Sequence, residues 1–507
     1  MEATSDTSDE SQLPLEGSST PSHASPEMSE DAPRVGARPP SSLSREILGL
    51  AVPALGALVA EPVFVLVDSA MVGHLGTAQL AGLSLSSTVL QTVVGLFVFL
   101  AYSTTALAAR ALGEGSPQRA VRAGIEAMWL AAGLGVLAAG ALVLAGPALL
   151  RALGAGPDIE GYAIAYLHTS APGLIGMFIV LAATGTLRGL LDTRTPLVVA
   201  AAGAALNIAA NAVFIFGLGW GVAGSGAGTA LVQTLMAAAL VWIVVRGARR
   251  LDVPLRPSTG GMWGAALDGA PLLVRTLAMR VALLATVSVA TFIGVRALAA
   301  HQVVYSVWSF AAYVLDALAI AAQALVGFSV GAGNRTHLRQ LLRRLSWWGA
   351  GAGLVIGLVL AAASPWLPRF FGADTGMRHM ATVAMLVAAS AMPLAGVVFL
   401  LDGVLIGAGQ GRYLAGAGVV QLVVYLPALV VIHHWVAASP HEAGGALPAS
   451  AALAAMVALW VAYAWLYMSA RALTLAWRTW WSPRHAILTS PPTTPTTPPN
   501  PPRHAPS

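Results

Sequence analysis

From about residue 44 to residue 475, long apolar runs alternate with short polar breaks, and twelve membrane-spanning helices are predicted. Their spans are 44–72, 79–111, 118–146, 158–186, 196–216, 222–246, 264–294, 297–330, 336–363, 376–407, 413–436 and 447–475. About 20 apolar residues suffice to cross a bilayer, so the longer runs imply tilt, kinks or projection into water. Neither sustained period-two alternation nor evenly spaced ten-residue segments occur, which argues against a transmembrane barrel. The first run, SREILGLAVPALGALVAEPVFVLVDSAMVGH, breaks its own pattern. It holds two carboxylates, Glu61 and Asp68, and two prolines, Pro53 and Pro62. A charge at that depth costs roughly 2.5–3.5 kcal/mol and marks a functional candidate. A proline removes a backbone hydrogen bond and bends the helix.

Composition agrees with a polytopic membrane protein. Of 507 residues, 57% are hydrophobic and 10% charged, against about 25% charged in soluble domains. Cysteine is absent, which removes disulfides and thiolate chemistry. All 27 basic residues are arginine. With the N-terminus in the cytoplasm, 21 arginines fall on the cytoplasmic side and four (Arg151, Arg296, Arg369, Arg378) opposite; Arg275 and Arg280 lie inside a helix. That bias orients the chain and leaves no case for nucleic-acid binding. Residues 1–43 and 476–507 are polar or Pro/Thr-rich and read as disordered cytoplasmic tails. The first of them lacks the basic and apolar regions of a signal peptide.

The chain also matches itself at an offset of 218 (53 to 271). That shift pairs Pro53 with Pro271, Gly113 with Gly331, Gly185 with Gly403 and Gly189 with Gly407. Two parallel six-helix halves follow, 44–246 and 264–475, joined by a cytoplasmic linker at 247–263. The fold class is therefore all-α, with two bundles facing a central cleft. The repeated glycines read as helix-packing positions. Asp68 and Glu61 fall on Thr286 and Met279, so both acids belong to the first half alone.

Glu61 and Asp68 are seven residues, two turns, apart and share a face. Asn207 and Asn211 are one turn apart on the fifth helix. With Tyr166 and Thr229 they are candidates to hold a carboxyl, a water or a small cation; interhelical glue is the plainer reading of the amides. In the second half, Arg275, Arg280, Asp316 and Asp402 read as structural ion pairs, with Arg275 at the depth of Asp316. Gln302, Tyr305, Trp308 and Tyr313 are candidates to line a substrate cleft. His74, His301, His433 and His434 lack metal-ligand spacing, so neither metal nor cofactor is expected.

The strings VDSAMVGHLGTAQLAG, LRGLLDTRTPL, AAHQVVYSVWSF, IAAQALVGFSVGAGN and LDGVLIGAGQGRYL resemble the multidrug and toxic compound extrusion (MATE) transporters, in their DNA-damage-inducible F branch. The resemblance covers about residues 44–475. It implies a V-shaped pair of bundles in a cell or inner membrane that exports organic compounds in exchange for protons or sodium. It also implies a cation site in the first lobe, with Asp68 as the helix-one acid and Pro53 as the bending proline. Tyr166, Asn207 and Thr229 match the lobe's other polar positions. One departure bears on coupling. The family often has N-x-x-x-D on helix five, where this chain has Asn207 and Asn211. An amide carries no charge, which weakens a two-acid sodium site and favours proton antiport through Asp68, with Glu61 as a further candidate. A monomer exporting amphipathic or cationic compounds is expected. The rival readings are a lipid-linked precursor flippase and, last, a membrane-embedded enzyme.

Overall fold

A computed structural model describes residues 40–440 and 447–482, with side chains from residue 43 onward. Most of the two expected tails lies outside the described residues. The first helix starts at Pro40 rather than 44, and the last continues to Trp481 rather than ending at 475.

Ten helices are individually long and apolar enough to cross a membrane, and two bent pairs bring the number to twelve. They are α1 (Pro40–Gly73), α2 (Thr77–Gly113), α3 (Pro117–Ala152), α4 (Pro157–Ser170 then Gly173–Gly189), α5 (Arg194–Gly217) and α6 (Gly221–Arg250). Next come α7 (Thr259–Ile293), α8 (Val295–Gly331), α9 (Arg335–Ala363), α10 (Thr375–Ser390 then Met392–Gly407), α11 (Gly411–Ala438) and α12 (Ala449–Trp481). No strand occurs among the described residues. Helix α6 runs on to Arg250, so the linker shortens from 247–263 to 251–258, and Ser258 caps α7 by accepting from the Gly261 N–H.

The bends are 51° in α4 and 54° in α10. Pro172 and Pro393 open the two second segments; lacking an N–H, each suits a helix start and not its interior. The apolar pattern alone runs through both bends, and only those prolines hint at them. By contrast α1, α7 and α11 pass Pro53, Pro271 and Pro427 as continuous helices.

Each second segment is the centre of its bundle. That of α4 packs on α2, α3 and α6, and that of α10 on α8 and α9. Here the glycine repeat has a structural meaning. A Cβ on Gly185 would meet the Ala101 backbone of α2, and one on Gly403 the Ala319 backbone of α8. Gly189 likewise abuts Thr105, and Gly407 abuts Gln323. The partner residues obey the same offset of 218 (101 to 319, 105 to 323). Close helix approach through glycine is thus built twice.

The bundles meet where α2 ends against α8. Gly113 lies on the Phe328 carbonyl and Gly331 on the Arg110 carbonyl, a reciprocal crossing in which either Cβ would strike backbone. Backbone cannot rotate away as a side chain can, so Gly331→Ala should cost about 1–3 kcal/mol. Gly351→Ala on α9, with open space around it, should be neutral or mildly stabilising. Thermal unfolding of the two variants in detergent checks this, and equal midpoints would refute the crossing.

Candidate functional site

Asp68 sits on α1 in the last quarter of the helix, 4% exposed, facing α5 and α6. Its Oδ1 accepts two hydrogen bonds, from Asn211 Nδ2 at 2.9 Å and from Ser225 Oγ at 2.5 Å. Asn211 Nδ2 also donates to Asn207 Oδ1 at 3.0 Å. The three helices approach this closely because the α6 run GVAGSGAGTA is stripped of side chains. Gly224 lies on the Phe214 and Ile215 backbone, Gly226 on the Tyr166 carbonyl, and Gly228 on the Asn211 side chain. Helix α5 changes to a π-turn at Ala212, directly after Asn211; such turns recur at functional sites.

Among the described residues, three buried polar atoms of this cluster have no hydrogen-bond partner: Asn207 Nδ2, Asn211 Oδ1 and Thr229 Oγ1. Each costs about 1–3 kcal/mol when left so. Asp68, Tyr166 and Thr229 also line a cavity of about 250 Å³ enclosed by α1, α2, α4, α5 and α6, with Ile320 of α8 on its wall. Glu61 and Arg188 line the same cavity, and Leu90, Val94, Met177 and Met236 supply apolar wall.

The structure therefore gathers Asp68, Tyr166, Asn207, Asn211 and Thr229 in one place. Glu61 shares the cavity but not the cluster; it is exposed to the open space, with no hydrogen bond or ion pair among the described residues. Ser225 is a contact that the sequence reading passes over. It stands four residues before Thr229, on the same face of α6, and that spacing was the available signal. Arg188 is a second omission: tallied with the orienting arginines, it is 8% exposed and faces the cavity.

The second half requires corrections. Trp308 is buried against Trp460 and Tyr463 and belongs to the core of its bundle. Gln302, Tyr305 and Tyr313 are not among the residues that line this first-half cavity. Arg275 pairs with Asp402 and not with Asp316. Arg471, assigned from sequence to the cytoplasmic side, is 3% exposed and bonds the same Asp402 at 3.0 Å. Arg280 makes no ion pair among the described residues and rests against Gly95 of α2. Depth along a helix located these residues; azimuth, which decides partners, was not available from spacing to distant helices. No group of three metal-ligating side chains occurs among the described residues.

The MatE family model matches residues 53–213 and again residues 271–431. The chain belongs to the MATE family. The two matches begin and end 218 residues apart (53 to 271, 213 to 431), which is the repeat offset. The chain is 30% identical over 385 residues to Protein DETOXIFICATION 44, chloroplastic, of Arabidopsis thaliana, covering 74% of each. It is 26% identical over 385 residues to DNA damage-inducible protein F of Escherichia coli, covering 73% of this chain and 81% of the other. The bent form of a Vibrio cholerae MATE transporter superposes with a TM-score of 0.74 at 21% identity, covering 86% and 98%. At that identity the superposition establishes the twelve-helix MATE fold. MATE proteins are secondary antiporters that export compounds across a membrane, and this chain is one of them.

Proposed function

We propose that this MATE protein exports amphipathic, cation-bearing organic compounds from the cytoplasm in exchange for protons, and that Asp68 is the proton carrier. The observation that carries the reading is the company Asp68 keeps. Its carboxyl is held by neutral donors only, Asn211 and Ser225, at a cavity wall. A carboxylate so placed changes the charge of the site when it takes a proton. Asp402, by contrast, is clamped between two arginines in charge-assisted contacts. Sodium is poorly served, because Asn207 and Asn211 offer amide oxygens where a second carboxylate would supply charge.

In this reading both termini are cytoplasmic and α1 runs outward through a plasma or inner membrane. Protonation from outside weakens two charge-assisted hydrogen bonds, each worth about 1.5–3 kcal/mol. Helix α1 is then free to shift against α5 and α6, pivoting near Pro53, where the helix lacks one backbone bond. Exchange follows as the bundles alternate about the α2–α8 crossing. Proteoliposomes with an acidic lumen should accumulate ethidium, and a sodium gradient at uniform pH should not. Accumulation driven by sodium alone would refute the coupling.

A further inference from the structure

The cavity wall carries a cation, Arg188, that no carboxylate pairs directly among the described residues. Arg188 stands one residue before the end of α4, 8% exposed, and its guanidinium makes no hydrogen bond or ion pair among the described residues. Asp316 and the Tyr102 hydroxyl are within electrostatic reach, yet among the described residues Asp316 forms no ion pair, and it is shared with Arg275 and Arg471. Asp402 is already taken by those same two arginines. Three arginines thus face two aspartates, leaving one positive charge in excess where the bundles meet. A guanidinium retains its charge and offers five N–H donors, and an unpaired buried ion is costly. On another part of the wall, Glu61 presents a carboxylate with no hydrogen bond or ion pair among the described residues.

We infer that the substrates of this cavity are amphoteric: an oxyanion, carboxylate in kind, seats on Arg188, and a basic nitrogen seats on Glu61. The apolar body between them lies along Val94, Met177 and Met236. Arg–carboxylate pairing is bidentate and strong in a dry site, so the oxyanion is read by geometry as well as charge. Asp68 remains outside this recognition, held by Asn211 and Ser225. The inference rests on the export reading and names the substrate class for the same cavity.

The test is equilibrium binding in detergent, which requires no proton coupling. Rhodamine B carries a carboxylate and a delocalised cation; its ethyl ester lacks the carboxylate. Arg188→Gln should weaken rhodamine B roughly tenfold or more and leave the ester nearly unchanged. Arg188→Lys should restore part of the difference, and Glu61→Gln should weaken both dyes. Unchanged ester binding by Arg188→Gln also certifies that the variant is folded. Equal losses for both dyes, or no loss for either, would overturn the inference. So would displacement of rhodamine B by phosphatidylglycerol that Arg188→Gln abolishes, since the oxyanion would then come from lipid. If binding fails this test while proton-driven ethidium accumulation holds, the substrate class falls and the export reading stands.

Discussion

Asp68→Asn should abolish proton-driven accumulation while leaving the protein folded and able to bind its substrates. Asparagine has nearly the volume of aspartate, and its Oδ1 can accept from Asn211 Nδ2 and Ser225 Oγ as the carboxylate does. What it lacks is the proton cycle. With a lumen about one pH unit more acid than the bath, one-for-one exchange sustains about a tenfold substrate gradient. The asparagine variant should sustain none, returning to the leak rate of empty vesicles. Glu61→Gln is the companion measurement. Glu61 lines the cavity without touching the Asp68 cluster, so its loss should alter apparent affinity and preserve the dependence on the gradient. Full proton-driven accumulation by Asp68→Asn would remove Asp68 from the coupling path, whatever Glu61 does.

How much of this was legible before any coordinates? Hydropathy and the repeat suffice for twelve spans in two bundles, because membrane crossing demands length and apolarity, both of which are local. The Asp68 cluster was largely readable for a related reason. A polar residue in an apolar helix is conspicuous, and Asn207 and Asn211 share a face by simple periodicity. Ser225 was less conspicuous, since a hydroxyl in a glycine-rich run passes as a packing residue. Trp308 was misplaced on azimuth. Trp308 sits on the same helix as Tyr305 and Tyr313, but only the packing of α12 decides that it turns toward Trp460. Arg188 and Arg471 failed on depth: arginine near a helix end reads as interfacial by the positive-inside rule. Long side chains can instead turn inward from such positions, and here both do.

That inward turn has its largest expected consequence at Asp402. Arg275 of α7 and Arg471 of α12 converge on its carboxylate from two helices, with Arg275 joined through both Nε and Nη2. All three side chains are buried. The triad carries one positive charge more than negative, so its only anion does the work of two. Asp402→Ala should destabilise the protein by about 3–5 kcal/mol, because it leaves two guanidinium groups buried and facing each other. The replacement of all three, Asp402→Leu with Arg275→Met and Arg471→Met, removes the charges together and should recover most of that loss. Thermal unfolding in detergent distinguishes the cases. A structural triad predicts a large loss for the single variant and near-native stability for the triple. If Asp402→Ala were as stable as the parent, the two arginines would have another anionic partner, and the excess charge ascribed to Arg188 would have to be recounted from there.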